Sequence, residues 1–171
     1  GKSGNPLAID QLIQALSDAS PKVRSSAARA LGETGSELAT ESLIGELVNG
    51  ESDVRSEAAE ALGRLGHSSS IDPLIDALED PDPRIRISAI RGLSGIELPE
   101  VHELLFWHFS SGLDPLTFPT LVDALGNLGG KRIIKPALQN LGAFRSPAIR
   151  LQLLNSGCRS LGAEDQFYRL L

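Results

Sequence analysis

The chain has 171 residues and a formal net charge of −6. An acidic chain of this kind lacks the basic surface that a general nucleic-acid binder needs, so we expect no nucleic-acid partner. The one cysteine, Cys158, excludes an internal disulfide, and no apolar run approaches the ~20 residues that a membrane span requires. We therefore expect a cytoplasmic chain with no direct membrane insertion.

One stretch of sequence returns about every 31 residues along the chain. Its clearest copy is Ser52–Gly66, preceded by Ser20–Gly35 and followed by Asp82–Gly95. Less regular copies lie at Asp114–Gly129 and Ser146–Gly162. A fixed period of this length predicts an array of stacked structural repeats.

The recurring stretch has the pattern of an amphipathic helix. In the clearest copy the apolar residues lie on one helical face, at Val54, Ala58, Ala61, Leu62 and Leu65. A capping residue followed by proline marks the start of four copies, at Ser20–Pro21, Asp82–Pro83, Asp114–Pro115 and Ser146–Pro147. Glycine marks the end of three copies, at Gly35, Gly66 and Gly129.

A second, shorter apolar pattern lies between these helices, at Leu12–Ile13, Leu43–Ile44 and Leu74–Ile75. Two antiparallel helices per unit cannot bury their apolar faces alone, so the pairs must stack. We predict an all-α fold, a single α-solenoid domain over residues 1–171, which looks cut from a longer protein. Its repeats are 7–35, 36–66, 67–96, 97–129 and 130–162, followed by a partial sixth helix at 163–171.

The segment Ile71–Ala89 reads IDPLIDALEDPDPRIRISA. It resembles HEAT repeats of the short, phycobilisome-lyase-type class, and the resemblance covers nearly the whole chain. It implies helical hairpins wound into a right-handed superhelix, with the second helices on the concave face. The class ranges from scaffolds to lyase subunits, so the resemblance is specific for the fold and not for the function.

Arginine recurs at one position of the second helix, at Arg24, Arg55, Arg86 and Arg150. The residue six earlier in the first three repeats is Asp18, Asn49 or Asp80, which offers acceptors to the guanidinium. One interpretation is an anion-binding row. The favoured one, which the resemblance also implies, is a structural ladder that ties each interhelical turn to its neighbour. The fourth repeat carries Phe118 at this position.

The fourth repeat departs from the pattern of the first three. Its first helix carries Leu104, Leu105, Phe106, Trp107 and Phe109, and one face cannot bury all five. We expect Leu105, Phe106 and Phe109 to serve the core and Trp107 to point elsewhere, either into a locally thick core or toward a partner. Outward positions of the second helices also turn from polar to apolar in repeats three to five. The candidate partner-binding residues are therefore Ile87, Leu116, Phe118, Leu151 and Trp107.

The sequence offers no pattern typical of catalysis. His102 and His108 are about 120° apart around a helix and share no face, and Cys158 lacks a partner histidine. We expect no metal, no cofactor and no enzymatic activity.

Three functions remain open. The leading hypothesis is a non-catalytic scaffolding module whose concave face holds a segment of another protein or of another domain of its own chain. The second is a subunit resembling the phycobilin lyases, which the repeat class alone suggests. The third is a regulatory or docking domain of a larger enzyme or transporter.

Overall fold

A computed structural model describes residues 6–111, 114 and 116–127 of the chain. Within these residues all regular secondary structure is helical. The chain divides into two compact units, Gly1–Ile96 and Glu97–Leu171. The division falls at the predicted junction between the third and fourth repeats.

The first unit contains three helical hairpins, one for each of the first three predicted repeats. Their helices are α1 (Pro6–Ala15) and α2 (Pro21–Thr34), α3 (Thr40–Asn49) and α4 (Ser52–Leu65), and α5 (Ile71–Asp76) and α6 (Pro83–Ser94). Short 3₁₀ helices lie between hairpins at Glu37–Ala39 and Ser68–Ser70, and after α5 at Ala77–Glu79.

The predicted start and stop signals act in the first unit. Gly35 and Gly66 follow α2 and α4 in the left-handed conformation, with φ of 66° and 67°. A side chain with a Cβ is strained there, which is why glycine ends these helices. At the start of α6 the Asp82 carboxylate accepts a 2.9 Å hydrogen bond from the Arg84 amide, a standard N-cap. Ser20 makes no such side-chain bond at the start of α2.

The core of the first unit is a seam between neighbouring hairpins. The central helix α4 packs against both α2 and α6, and each first helix packs against the second helix of its own hairpin. The fully buried side chains include Leu31, Leu43, Leu62, Leu74, Ile85 and Leu93. Burying a side chain of this size contributes roughly 1.5–3 kcal/mol. Stacked hairpins of this kind make the fold an all-α solenoid.

Glycine allows the second helices to approach closely. A Cβ added to Gly63 would lie 2.2 Å from the Cα of Gly92, which no real side chain tolerates. A Cβ added to Gly32 would likewise lie 2.7 Å from the Cα of Ala61. The backbones of α2, α4 and α6 therefore touch along one line.

The second unit contains α7 (Pro99–Ser111) and α8 (Phe118–Asn127), which pack against each other. The buried side chains of this pair are Val101, Leu105, Phe118, Leu121, Val122, Ala124 and Leu125. Helix α8 begins at Phe118, later than the start predicted at Asp114–Pro115. Asp114 nevertheless organises that start, since its carbonyl accepts the Phe118 amide at 2.9 Å and its carboxylate accepts the Leu116 amide at 3.0 Å.

Several sequence predictions lie outside the described residues. They are the fifth repeat at 130–162, the partial helix at 163–171, and the terminal signals at Gly129 and Ser146–Pro147. The single domain over residues 1–171 also stays a prediction.

Candidate functional site

Arg24 and Arg55 of the first unit each join the interhelical turn of their own repeat to the next repeat. Arg24 donates to the Asp18 carbonyl at 3.0 Å in its own hairpin and to the Glu51 carboxylate at 3.1 Å in the following one. Arg55 donates to the Leu47 carbonyl at 2.7 Å and pairs through its guanidinium with both carboxylate oxygens of Asp80. These contacts form a chain of hydrogen bonds that runs from one hairpin to the next.

The acceptors differ in kind from those predicted. Within its own hairpin an arginine uses a backbone carbonyl, as when Arg86 donates to the Asp80 carbonyl at 2.7 Å, and the carboxylate of Asp80 serves Arg55 of the preceding repeat. Asn49 is not an acceptor for Arg55 but donates to the Gly45 carbonyl at 3.2 Å. The N–H groups of these arginines donate to carbonyls and carboxylates of the protein itself. This geometry favours a structural ladder over an anion-binding row. Arg150 lies outside the described residues.

Charged side chains on the exposed face of the second helices pair between neighbours. Arg29 of α2 pairs with Glu57 of α4, and from α6 Arg84 lies 3.0 Å from Asp53 and Arg91 lies 3.3 Å from Glu60. The hydrogen bond from Arg29 to Glu57 lowers the pKa of the Glu57 carboxyl and raises the pKa of the Arg29 guanidinium. This second-helix face, lined by α2, α4 and α6, is therefore polar and largely neutralises itself.

A groove on the same face lies between α4 and α6. It has a volume of about 300 Å³ and is lined by Glu60, Gly63, Arg64, Arg91, Gly92 and Gly95. Its depth follows from the glycines, which leave backbone without side chains at its floor. This groove was not among the sequence predictions, and the signal that could have found it is a glycine inside each helical pattern, at Gly63 and Gly92.

The predicted partner-binding residues have different environments. Trp107 and Leu116 are exposed, at 65% and 60%, whereas Ile87 on α6 is half-buried. Phe118 is fully buried in the second unit and cannot contact a partner at the surface, so its assignment to a binding surface was wrong. Phenylalanine has no polar group to satisfy, which allows it deeper burial than the arginines at the equivalent position. Leu151 lies outside the described residues.

The first helix of the fourth repeat is apolar on two sides. Val101 and Leu105 are buried, and Trp107 lies about 200° around the helix from Leu105, on the opposite side. The indole of Trp107 therefore cannot join the same core. Its ring makes a tilted contact with His108, with the centroids 6.2 Å apart. As expected from the sequence, Leu105 is a core residue, while the side chain of Phe109 lies outside the described part of the chain.

Among the described residues, no group of three or more His, Cys, Asp and Glu side chains is arranged to hold a metal ion. None of the helices in residues 6–111 and 116–127 combines the length and the apolar character needed to cross a bilayer.

Comparison with solved structures gives the same architecture. The chain is similar to the complex of CpcE and CpcF of phycocyanin lyase from Nostoc sp. PCC7120, with 22% identity, a TM-score of 0.70, and coverage of 99% of this chain and 71% of that one. It is also similar to the archaeal HEAT-like repeats protein from Thermococcus onnurineus NA1, with 19% identity, a TM-score of 0.56, and coverage of 93% and 72%. An engineered protein matches with 18% identity, a TM-score of 0.58, and coverage of 92% and 80%. At these identities the likeness shows the fold alone.

Comparison with curated proteins finds no match. A family model of HEAT repeats matches residues 1–52 and 40–116, which is more than half of the chain. The stacked hairpins, the arginine ladder and this match agree, and the chain belongs to the HEAT-repeat family.

Proposed function

We propose that the protein is a non-catalytic binding module that holds a segment of another protein, or of another domain of its own polypeptide, through exposed apolar side chains of the fourth repeat. The observation that carries this proposal is Trp107, whose indole is 65% exposed on the side of α7 opposite the buried Leu105. Tryptophan is among the residues most enriched at binding hot spots, because it offers a large rigid apolar area and one hydrogen-bond donor.

Leu116 supports the same role from the turn before α8. It is 60% exposed, and its backbone amide is fixed by the Asp114 carboxylate at 3.0 Å. A large apolar side chain on a backbone held in this way loses little conformational freedom when a partner covers it. Trp107 and Leu116 thus supply two anchors of the type that protein interfaces use.

The second-helix face of the first unit is less suited to binding a partner than the exposed apolar side chains of the fourth repeat. The exposed charges on its second-helix face pair with one another, so a partner would have to break Arg84–Asp53 or Arg91–Glu60 to use them. The apolar side chains of the fourth repeat require no such exchange. Binding through Trp107 and Leu116 therefore has the smaller desolvation cost.

The test is quantitative capture of partners with crosslinking, using the whole chain as bait. Trp107→Ser and Leu116→Ser are compared with Val48→Ser, since Val48 is 64% exposed on α3 of the first unit and provides a matched control. We expect at least one protein that the native chain and the Val48 variant capture equally and that both fourth-repeat variants lose. Capture of the same proteins by all four chains would contradict the proposal.

A second candidate function is a lyase-like subunit acting on phycobiliproteins. It is favoured by the likeness to the CpcE and CpcF complex, which covers 99% of this chain. Titration with phycocyanobilin tests it, because a bilin held by protein changes its absorption and fluorescence. A titration without spectral change would remove this candidate and leave the binding module.

A further inference from the structure

The exposed side of α7 carries acidic side chains beside Trp107. Glu100, Glu103 and Trp107 are all exposed. At 3.6 residues per turn they lie within about 60° of one another around the helix. The buried residues of α7, Val101 and Leu105, lie elsewhere around its axis. We call the three exposed positions the outer stripe of α7, and they form one continuous surface of the second unit.

The sequence around the outer stripe is acidic and contains no basic residue. No lysine or arginine occurs between Arg91 and Lys131, and residues 97–127 contain five Asp and Glu, a formal charge of −5. The first unit differs, because its exposed carboxylates are paired with arginines, as Glu60 is with Arg91 at 3.3 Å. The surface of the second unit at α7 is therefore complementary in charge to a basic ligand.

Trp107 indicates a ligand on this side of α7 independently of the charge. Its indole is 65% exposed. The face of an indole attracts a lysine or arginine cation that lies within about 6 Å of the ring centroid. Glu103 precedes Trp107 by four residues, and side chains at this spacing are neighbours on a helix. One cation can therefore contact the indole and the carboxylate together.

We propose that the protein segment bound at Trp107 is basic, and that it places a lysine or arginine side chain between the Trp107 indole and the Glu103 carboxylate. This inference rests on the proposed function, since it names the chemistry of the partner at the same surface. The cation donates a hydrogen bond to the carboxylate, and its alkyl stem covers part of the indole. Glu100 extends the negative charge of the stripe toward the start of α7.

The fluorescence of Trp107 provides a direct test, because the chain has only one tryptophan. The whole chain is titrated with the capped peptide Leu-Arg-Leu-Arg and with a control peptide in which citrulline replaces both arginines. Citrulline keeps the shape of arginine and removes its charge. We expect a saturable change in emission with the arginine peptide and binding of the citrulline peptide that is weaker by about fivefold or more. Equal affinities would overturn the proposal, and so would an arginine peptide that leaves the emission unchanged.

Variants separate the outer stripe from the general acidity of the second unit. Glu103→Gln should weaken binding of the arginine peptide about tenfold, since a hydrogen bond between charged groups contributes roughly this factor. Glu97→Gln is the matched control, because Glu97 is an exposed acid of the same unit that precedes α7. It should change the affinity by less than about twofold at physiological salt, which screens distant exposed charges. Equal losses would indicate nonspecific attraction, and the proposal would fail.

Glu103→Asp tests whether Glu103 acts through its charge or through the structure of α7. Aspartate keeps the carboxylate, so this variant should recover most of the affinity that Glu103→Gln loses. Circular dichroism should show the same helix content for both variants and the native chain. If the two variants bound the arginine peptide equally weakly, Glu103 would have only a structural role and the cation site would be refuted.

Partner capture distinguishes failure of this inference from failure of the proposed function. If a partner is lost by Trp107→Ser and kept by Glu103→Gln, Trp107 is an apolar anchor, so the proposed function stands and the basic segment is refuted. If the arginine peptide binds as expected and Trp107→Ser loses no partner, the cation site stands and the proposed function fails. We expect both variants to lose the same partner.

Discussion

One position of the second helix is filled differently in the two units. It is arginine in the first unit, at Arg24, Arg55 and Arg86, and phenylalanine in the second, at Phe118. The arginines are partly buried and satisfied by carbonyls and carboxylates of neighbouring turns, whereas Phe118 is fully buried among apolar side chains. The two side chains stabilise the fold in different ways. Arginine links one hairpin to the next through directional bonds, and phenylalanine contributes apolar burial within its own unit.

The second-helix face of the first unit also differs from the surface of α7 in the second unit. The second-helix face of the first unit carries paired charges, while α7 of the second unit buries Leu105 on one side and exposes Trp107 on the other. A helix that only had to stack would need one apolar side. The comparison therefore separates residues that hold the solenoid together from residues available to a partner.

The largest effect we predict comes from Phe118, with Trp107 of the same unit as the comparison. Phe118→Ala should lower the free energy of unfolding by about 3–5 kcal/mol, because it leaves a cavity in a closed core. Trp107→Ala should change it by less than about 0.5 kcal/mol, because the indole is 65% exposed. Urea denaturation followed by circular dichroism measures both, and similar losses would place Trp107 in the core and remove the distinction.

The next effect separates the buried ladder from the exposed pairs. Arg55→Ala leaves Asp80, whose side chain is only 7% exposed, without its guanidinium, and should cost about 3 kcal/mol. Arg91→Ala breaks a pair in which the arginine side chain is 62% exposed, and should cost at most about 1 kcal/mol. The same denaturation experiment compares them. Equal losses would show that the ladder adds no more than a surface ion pair.

Close packing of the second helices gives a third prediction. Gly63→Ala places a Cβ against the backbone of Gly92 and should cost about 1–3 kcal/mol despite the better helix propensity of alanine. Gly45→Ala is the control, because a Cβ there has no neighbour within 4 Å and should stabilise α3 by about 0.5–1 kcal/mol. Melting temperatures that move in the same direction would contradict the close approach of α4 and α6.

The period of the sequence was sufficient to predict the hairpins of the first unit. The 31-residue spacing, the capping residues and the final glycines report on local backbone, and the helices begin and end close to these signals. The acceptors of the arginines could not be predicted in the same way. The Leu47 carbonyl reaches Arg55 only because α3 packs on α4, and the Asp80 carboxylate reaches it only because the next hairpin stacks at a particular distance.

The candidate site was predicted less well than the fold, for a related reason. Hydrophobicity marks Phe118 and Trp107 alike, and only the tertiary packing shows that Phe118 is enclosed and Trp107 exposed. The groove between α4 and α6 was missed because its lining residues come from two repeats and face one another only once the hairpins stack.

The smallest effect concerns the hydrogen bonds that join the starts of α4 and α6. The Ser52 hydroxyl, the Arg84 amide and the Arg84 guanidinium all donate to the Asp82 carboxylate, and together they lower its pKa to about 2 from an ordinary value of 3.8. Between these two values the unfolded chain binds the proton and the folded chain does not. The stability that Asp82 contributes should therefore be complete above pH 4 and be lost as the pH falls toward 2.

The variant Asp82→Asn isolates this contribution from the titration of other carboxylates. We expect the native chain to melt at a higher temperature than the variant at pH 6, and the two melting curves to converge as the pH approaches 2. In Ser52→Ala the NMR-detected pKa of Asp82 should rise, because the first of its donors is gone. A difference in melting temperature that stayed constant down to pH 2 would show that Asp82 acts through its shape or its cap and not through its charge. The contact between the second and third repeats would then depend on packing and on the remaining polar contacts, such as the pair of Arg55 with Asp80.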